Sequence, residues 1–430
     1  MKNKIKLAVV AALALGTTSA FATNGAALIG MGAEARGMAG TGIGIAHGAE
    51  SALTNPALIT SVEKTEISFG GTLFMPDVSN SNSLNLDFSQ GGTVPAPNYG
   101  DLTSSADSAA DMSMIPEVSL ATKINDNFYV GIGMWGTGGM GVDYREPENT
   151  GQMSMVTNLQ LMQFGVPLAF TTNGFTVAIT PILQYGSLDI NYQMDGALVD
   201  AMNQQNPGTT QRPVTVGSGV AQDLKFGYNI GLAYEVGAIT LGAIYKSQID
   251  MEYNYVLSNA VQGFGVQNYT NNKLSTPAEI GVGASYAFAQ HIVAIDYKQI
   301  KWSDAEGYKD FEWDDQNVVS IGYEYKATGW ALRAGYNYAT SPISEQTYTG
   351  TNSVGLTAGT VNTFNLLGFP GIVETHYAIG GTYALSEQTS LDLAFTYAPE
   401  VTETYKNFLG QDITTTHSQT GASAQLNFNF

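Results

Sequence analysis

Four cations in this chain, Arg36, Lys246, Lys298 and Arg333, stand where an anion could meet them. Residues 330–338 alternate in character, so Arg333 takes the face opposite Leu332, Ala334 and Tyr336. Lys246 and Lys298 fall on the equivalent inward face of their own segments by the same count. Each could bind a carboxylate. Each could also pair with an inward acid such as Asp296 or Glu324, because a buried cation is favourable only with good geometry and hydrogen bonds. Nothing else in the chain has the makings of a reaction centre. The four histidines, His47, His291, His376 and His417, lie in separate segments, and no G-x-S-x-G motif occurs. No His/Asp/Glu cluster has metal-ligand spacing, and cysteine is absent. Gly131 to Gly136 reads G-x-G-x-x-G, but no helix follows it, so the dinucleotide fingerprint is spurious. The chemistry on offer is binding rather than catalysis, with no cofactor and no metal.

The elements that must position these groups are strands. From Leu224 to Val236, Leu224, Phe226, Tyr228, Ile230, Leu232, Tyr234 and Val236 take one face, and small or polar residues take the other. Such a strand separates an apolar medium from a polar interior. Similar segments are predicted near 63–76, 113–124, 127–138, 152–171, 175–192, 224–236, 238–253, 276–289, 291–302, 315–327, 330–340, 375–385, 389–404 and 413–430. They number fourteen, and tight turns such as Thr172-Asn173-Gly174 alternate with long connections. Outer-membrane barrels show this asymmetry, with short periplasmic turns and long outward loops.

Composition agrees. Only 13% of residues are charged, against 49 Gly, 23 Tyr and 18 Phe. A soluble domain carries more charge, near a quarter of its residues. The formal charge of −20 argues against a nucleic-acid partner. Lys2, Lys4 and Lys6, the apolar run from Leu7 to Leu15, and Ala20-Phe21-Ala22 form a secretory signal over 1–22. No later run is long enough for a membrane-spanning helix. At the other end Phe430, Phe428, Leu426 and Ala424 share one face, the signal read by the machinery that assembles outer-membrane barrels. The fold class is therefore all-β, a 14-stranded antiparallel transmembrane β-barrel over 63–430 in the bacterial outer membrane, expected as a monomer in contact with outer-membrane lipid and lipopolysaccharide.

Residues 23–62 do not alternate. They are rich in Gly and Ala, yet carry Leu28, Ile29, Met31, Met38, Leu53, Leu58 and Ile59, too many bulky apolar groups for a disordered tail. A segment so small-sided could fill a lumen as an N-terminal hatch, with Asn55-Pro56 as a rigid corner.

Here a resemblance becomes specific. Gly37, Gly40, Gly42, Ala46 and Asn55-Pro56-Ala57-Leu58-Ile59 resemble the hatch of FadL-type long-chain fatty-acid and hydrophobic-compound transporters. Further landmarks follow in the same order: Lys123–Phe128, Gly136–Tyr144, Thr276-Pro277-Ala278-Glu279, Trp302-Ser303 and Ser341-Pro342-Ile343. The resemblance implies that Asn55, Pro56, Ala57 and Leu58 belong to a lumenal plug. It implies a ligand, either a long-chain fatty acid or another lipophile such as an aromatic hydrocarbon. Two loop stripes at helical spacing, carrying Leu198 and Met202, and Leu257, Val261 and Phe264, would form the capture groove. Gly133, Gly136, Gly138 and Gly139 in the third strand would allow a kink that opens a lateral gate. Arg333, Lys246, Lys298 and Arg36 are the candidate carboxylate ligands. An outer-membrane enzyme, a general diffusion porin and a surface receptor or adhesin are the rival readings.

Overall fold

The computed structural model describes residues 23–89, 97–146, 148–209 and 212–430; the signal reading of 1–22 lies outside them. Fourteen strands form the wall. They are β1 (Thr65–Asn82), β2 (Ser113–Lys123), β3 (Phe128–Asp143), β4 (Val156–Gly165, continued by Leu168–Thr172), β5 (Phe175–Met194), β6 (Ala221–Val236) and β7 (Ile239–Lys246). Next come β8 (Glu279–Phe288), β9 (His291–Ile300), β10 (Gln316–Ala327), β11 (Trp330–Ala339), β12 (Thr375–Ala384), β13 (Thr389–Lys406) and β14 (Asp412–Asn429). Each pairs antiparallel with the next. β14 returns to β1 from Asn429↔Glu66 to Ile413↔Asn82, so the sheet has no free outer edge.

Alternation decides which face meets lipid. On β6, Leu224, Phe226, Tyr228, Leu232, Tyr234 and Val236 are exposed, Phe226 by 82%, whereas Asn229 and Ala233 are buried. No helix among the described residues is long and apolar enough to cross a membrane. The Asn173-Gly174 turn has both residues at positive φ (49° and 79°), the twist a tight hairpin prefers.

Several boundaries depart from expectation for identifiable reasons. The seventh strand, expected to Tyr253, stops at Lys246. Ile249, Met251 and Tyr253 keep the period-two pattern but are buried, and only single bridges such as Ile249↔Thr276 survive there. β4 starts later than expected because Met153 and Ser154 adopt positive φ. It is also interrupted at Pro167, which has no N–H to donate.

Residues 23–62 are nearly all buried and bond to strands around the whole circumference. They form a hairpin of Thr23–Asn24 with Ala27–Leu28, a short helix α1 (Ala33–Gly37) and two 3₁₀ turns, Gly48–Leu53 and Pro56–Ser61. Asn55 caps the second turn by accepting from Ala57 N at 3.1 Å, with Pro56 at its first position. The same side chain donates to Ile43 O (2.8 Å) within the segment and to Leu232 O (3.1 Å) on β6. The corner is therefore stapled both to itself and to the wall. Wall glycines let the backbones touch: a Cβ on Gly242 would lie 1.7 Å from Ile43 O, and one on Gly335 would lie 2.3 Å from the Met38 carbonyl carbon.

Gly242→Val therefore has no room without lifting the segment from β7. The expected outcome is a rise in single-channel ion conductance in planar bilayers, while the heat-modifiable gel mobility of the folded barrel is retained.

Candidate functional site

Lys246 ends β7, Glu279 begins β8 and Lys298 lies on β9, and the register brings them together, Lys246 opposite Glu279 and Lys298 opposite Gly281. Glu279 Oε2 lies 3.2 Å from Lys298 Nζ and 3.5 Å from Lys246 Nζ. Two ammonium groups share the Glu279 carboxylate, and Asp296, two residues before Lys298 on the same strand, lines the same recess. Lys246 and Glu279 face Leu28 and Met31 of the N-terminal segment across a narrow lumenal cavity, which Trp302, Tyr308, Leu161, Thr137 and Gly138 also line, and Lys298 joins them around an adjoining one. Trp302, Tyr308 and Trp313 pack with ring centroids 4.6–5.1 Å apart. One cavity thus joins the Lys246–Glu279 pair, an aromatic group and the third strand.

At the third strand the wall is incomplete. β2 and β3 pair from Lys123↔Tyr129 to Glu117↔Trp135 and no further. Beyond that point the β2 ladder continues only with β1, and β3 continues with β4 through a register shift between Gly136 and Gly138. Pro116 stands at the first unpaired step on the β2 side, as a proline does at a sheet edge. From within, the N-terminal segment supplies a replacement partner: Gly139 N donates to Ala26 O at 3.1 Å, and Ala27 pairs with Gly138. At the outer rim Ala109 N donates to Asp143 O at 2.9 Å, which bounds the window above. Trp135, fully buried, bounds it below; a Cβ on Gly133 or Gly165 would come within 2.6 and 2.8 Å of its ring. Gly136, Gly138 and Gly139 therefore border the window, whereas Gly133 lies beneath it as a seat for Trp135.

Two of the four candidate cations are already paired with acids. Arg36 donates through Nη1 (2.7 Å) and Nη2 (2.6 Å) to the two oxygens of Glu117 and to Thr72 Oγ1 (2.6 Å). Arg333 meets Glu324 (2.7 Å), Glu34 (2.9 Å) and Asp392 (3.5 Å). Acids from remote parts of the chain lie against both, so the pairs fasten the N-terminal segment to the wall. Asp296 adds a third fastening by accepting from Gly42, Ile43 and Gly44 N at 2.7, 2.8 and 3.2 Å. Burial alone would push the Glu34 carboxyl up and the His47 imidazole down. The nearby Arg333 and the contact between the pair at 3.4 Å reverse both, holding Glu34 well below the usual carboxylate range and lifting His47 to about 9.

The loop stripes fold as helices α2 (Gly196–Met202) and α3 (Val256–Gln262). Leu198, Leu257 and Val261 are buried beneath the outer loops, while Met202 is exposed. Phe264 packs with Tyr192, Phe364 and Phe408 at 4.9–5.4 Å. The histidines serve structure: His417 and His376 both contact Gln419, and His291 meets Tyr323 OH. Sequence reasoning missed Glu279 as a shared counter-ion and Trp135 as the floor of the window. Pro116 was the available signal, since a proline inside an alternating run marks an edge.

The family model described as outer membrane protein transport protein (OMPP1/FadL/TodX) matches residues 8–352. The long-chain fatty acid transport protein of Escherichia coli strain K12 is 24% identical over 445 aligned residues, covering 91% of each chain. Among solved structures, a Pseudomonas aeruginosa FadL homologue superposes with a TM-score of 0.70 at 16% identity, covering 94% of this chain and 100% of that one. The Pseudomonas putida toluene transporter TodX superposes at 0.64 and 18% identity, covering 94% and 99%. At these identities the structures bear on the fold alone.

Replacing Arg36 by Met strands a buried Glu117 carboxylate, a loss of about 3–5 kcal/mol for a broken buried pair. The expected result is a lower unfolding temperature and new protease cleavage within 23–62, partly reversed in the Arg36→Met, Glu117→Gln double variant.

Proposed function

The chain belongs to the OMPP1/FadL/TodX family, outer-membrane transporters of hydrophobic compounds, and we propose on that premise that its cargo is a lipophile with a single anionic head, a long-chain fatty acid. The observation that carries this is the Lys246–Glu279–Lys298 group, in which two ammonium groups share one carboxylate, with Lys246 and Glu279 lining a cavity beside Leu28, Met31, Leu161, Trp302 and Tyr308. A carboxylate placed there completes two neutral pairs, and charge-assisted bonds are the strong kind. The tail gains from burial at about 25 cal/mol per Å² of hydrocarbon covered. No bond need be made or broken, and the cavity performs binding and release alone.

The route begins at the outward loops, where Met202 and Phe264 offer apolar contact above the buried Leu198, Leu257 and Val261. It passes through the cavity and leaves through the window between β2 and β3 into the membrane. Continuity between cavity and window supports that last step, since Thr137 and Gly138 line both. The hairpin of Ala26 and Ala27 stands between them and must separate from Gly138 and Gly139 for passage. A second reading, a neutral aromatic hydrocarbon, draws support from the Trp302, Tyr308 and Trp313 rings.

Lys298→Met brings the group to net neutrality while keeping the Lys246–Glu279 pair. Titration of purified protein in detergent should show oleate affinity falling roughly 10- to 100-fold, the scale of a hydrogen bond to a charged group, with methyl oleate unaffected. Equal changes for acid and ester would remove the carboxylate reading and leave the neutral one.

A further inference from the structure

We infer that Ile115 sets the width of what can leave through the wall. The inference rests on the lateral release proposed above. The window has four borders, and three are made of backbone or of a locked ring. Above is the Ala109–Asp143 backbone bond, below is Trp135 held against Gly133 and Gly165 with Leu53 beside it, and on the β3 side is Gly136, which has no side chain. On the β2 side Ile115, 2% exposed, reaches across. Its Cγ2 would lie 2.8 Å from a Cβ on Gly136, so it rests directly on the β3 backbone.

The geometry makes this contact the narrowest adjustable point. Ile115 is β-branched, and its χ1 freedom is restricted, so it does not fold away as a methionine would. Trp135 cannot yield without opening space between two strands and the N-terminal segment. The Ala26–Gly139 contact, in contrast, is a single ladder bond from the N-terminal hairpin. Once that hairpin parts from β3, the remaining obstruction is the sec-butyl group of Ile115. A methylene chain, one carbon wide, can slide past it lengthwise, whereas fused rings present their full width to the same opening. The aperture therefore favours linear over polycyclic cargo, whatever the cavity binds.

The test measures initial uptake of radiolabelled oleate and phenanthrene by cells carrying the protein, relative to cells with empty vector. Ile115→Ala should raise the phenanthrene-to-oleate ratio roughly tenfold, the scale of discrimination that a small change in an apolar passage gives. An unchanged ratio in a variant with native heat-modifiable mobility overturns the inference. If the alanine variant fails to fold, Ile115→Val, one methyl smaller, must move the ratio in the same direction by a smaller factor. A second arm isolates the premise. The chain has no cysteine, so the Ile115→Cys, Gly136→Cys pair can be oxidised across the window without competing thiols. Oleate uptake that falls to vector level and returns on reduction supports lateral release. Undiminished uptake in the oxidised form overturns lateral release and the role of Ile115 with it. Blocked uptake in this arm combined with an unchanged ratio in the first overturns the width assignment alone.

Discussion

A strand inside a bilayer cannot leave its backbone unpaired, because hydrocarbon offers no hydrogen bonds in exchange. This one constraint governs the organisation of the whole molecule. Fourteen strands close on themselves through β14 and β1, which settles every edge except the one the protein breaks deliberately between β2 and β3. There Pro116 removes a donor, and the shift around Thr137 turns β3 toward the lumen. The hairpin at Ala26 and Ala27 then takes up the amide of Gly139. The break in pairing and the N-terminal segment beside it are complementary, since the segment's Ala26 carbonyl takes the amide of Gly139 that β2 leaves free.

Holding the plug against the wall calls for polar contacts in a confined space. The solution is to place charge only where it is answered: Arg36 on Glu117, Arg333 among Glu34, Glu324 and Asp392, and Asp296 beneath three consecutive amides. Buried pairs of this kind are weak evidence for net stability, but they fix register, and wall glycines at 242 and 335 let that register be read at backbone distance. Against this background the lysine pair stands out. Lys246 and Lys298 share Glu279, and Lys246 borders the cavity beside Trp302 and Tyr308.

The barrel was legible in the sequence because lipid outside and packed polar groups inside impose a two-residue period over long stretches, as on β6. The same cue misled at Ile249, Met251 and Tyr253, where alternation persists although the chain has left the sheet and packs under the loops. The corner at Asn55-Pro56 was legible because its cap is local. Ion pairing was not, because Glu117 lies 81 positions beyond Arg36 and Glu34 meets Arg333 from the opposite end of the chain; only the closed barrel makes them neighbours. The glycines of β3 pointed to a weak place in the wall. The neighbour that defines its edge, Pro116, and the ring that floors it, Trp135, become meaningful only once β2 and β3 are seen side by side.

The glycine bed beneath residues 23–62 also has a consequence for biogenesis. The wall meets the N-terminal chain at backbone distance at Gly242 and Gly335. A side chain added at either place would have to displace main chain rather than a neighbouring side chain, so the shape of this stretch is matched to a barrel in which those positions stay bare, and the order in which the two come together must leave that match intact.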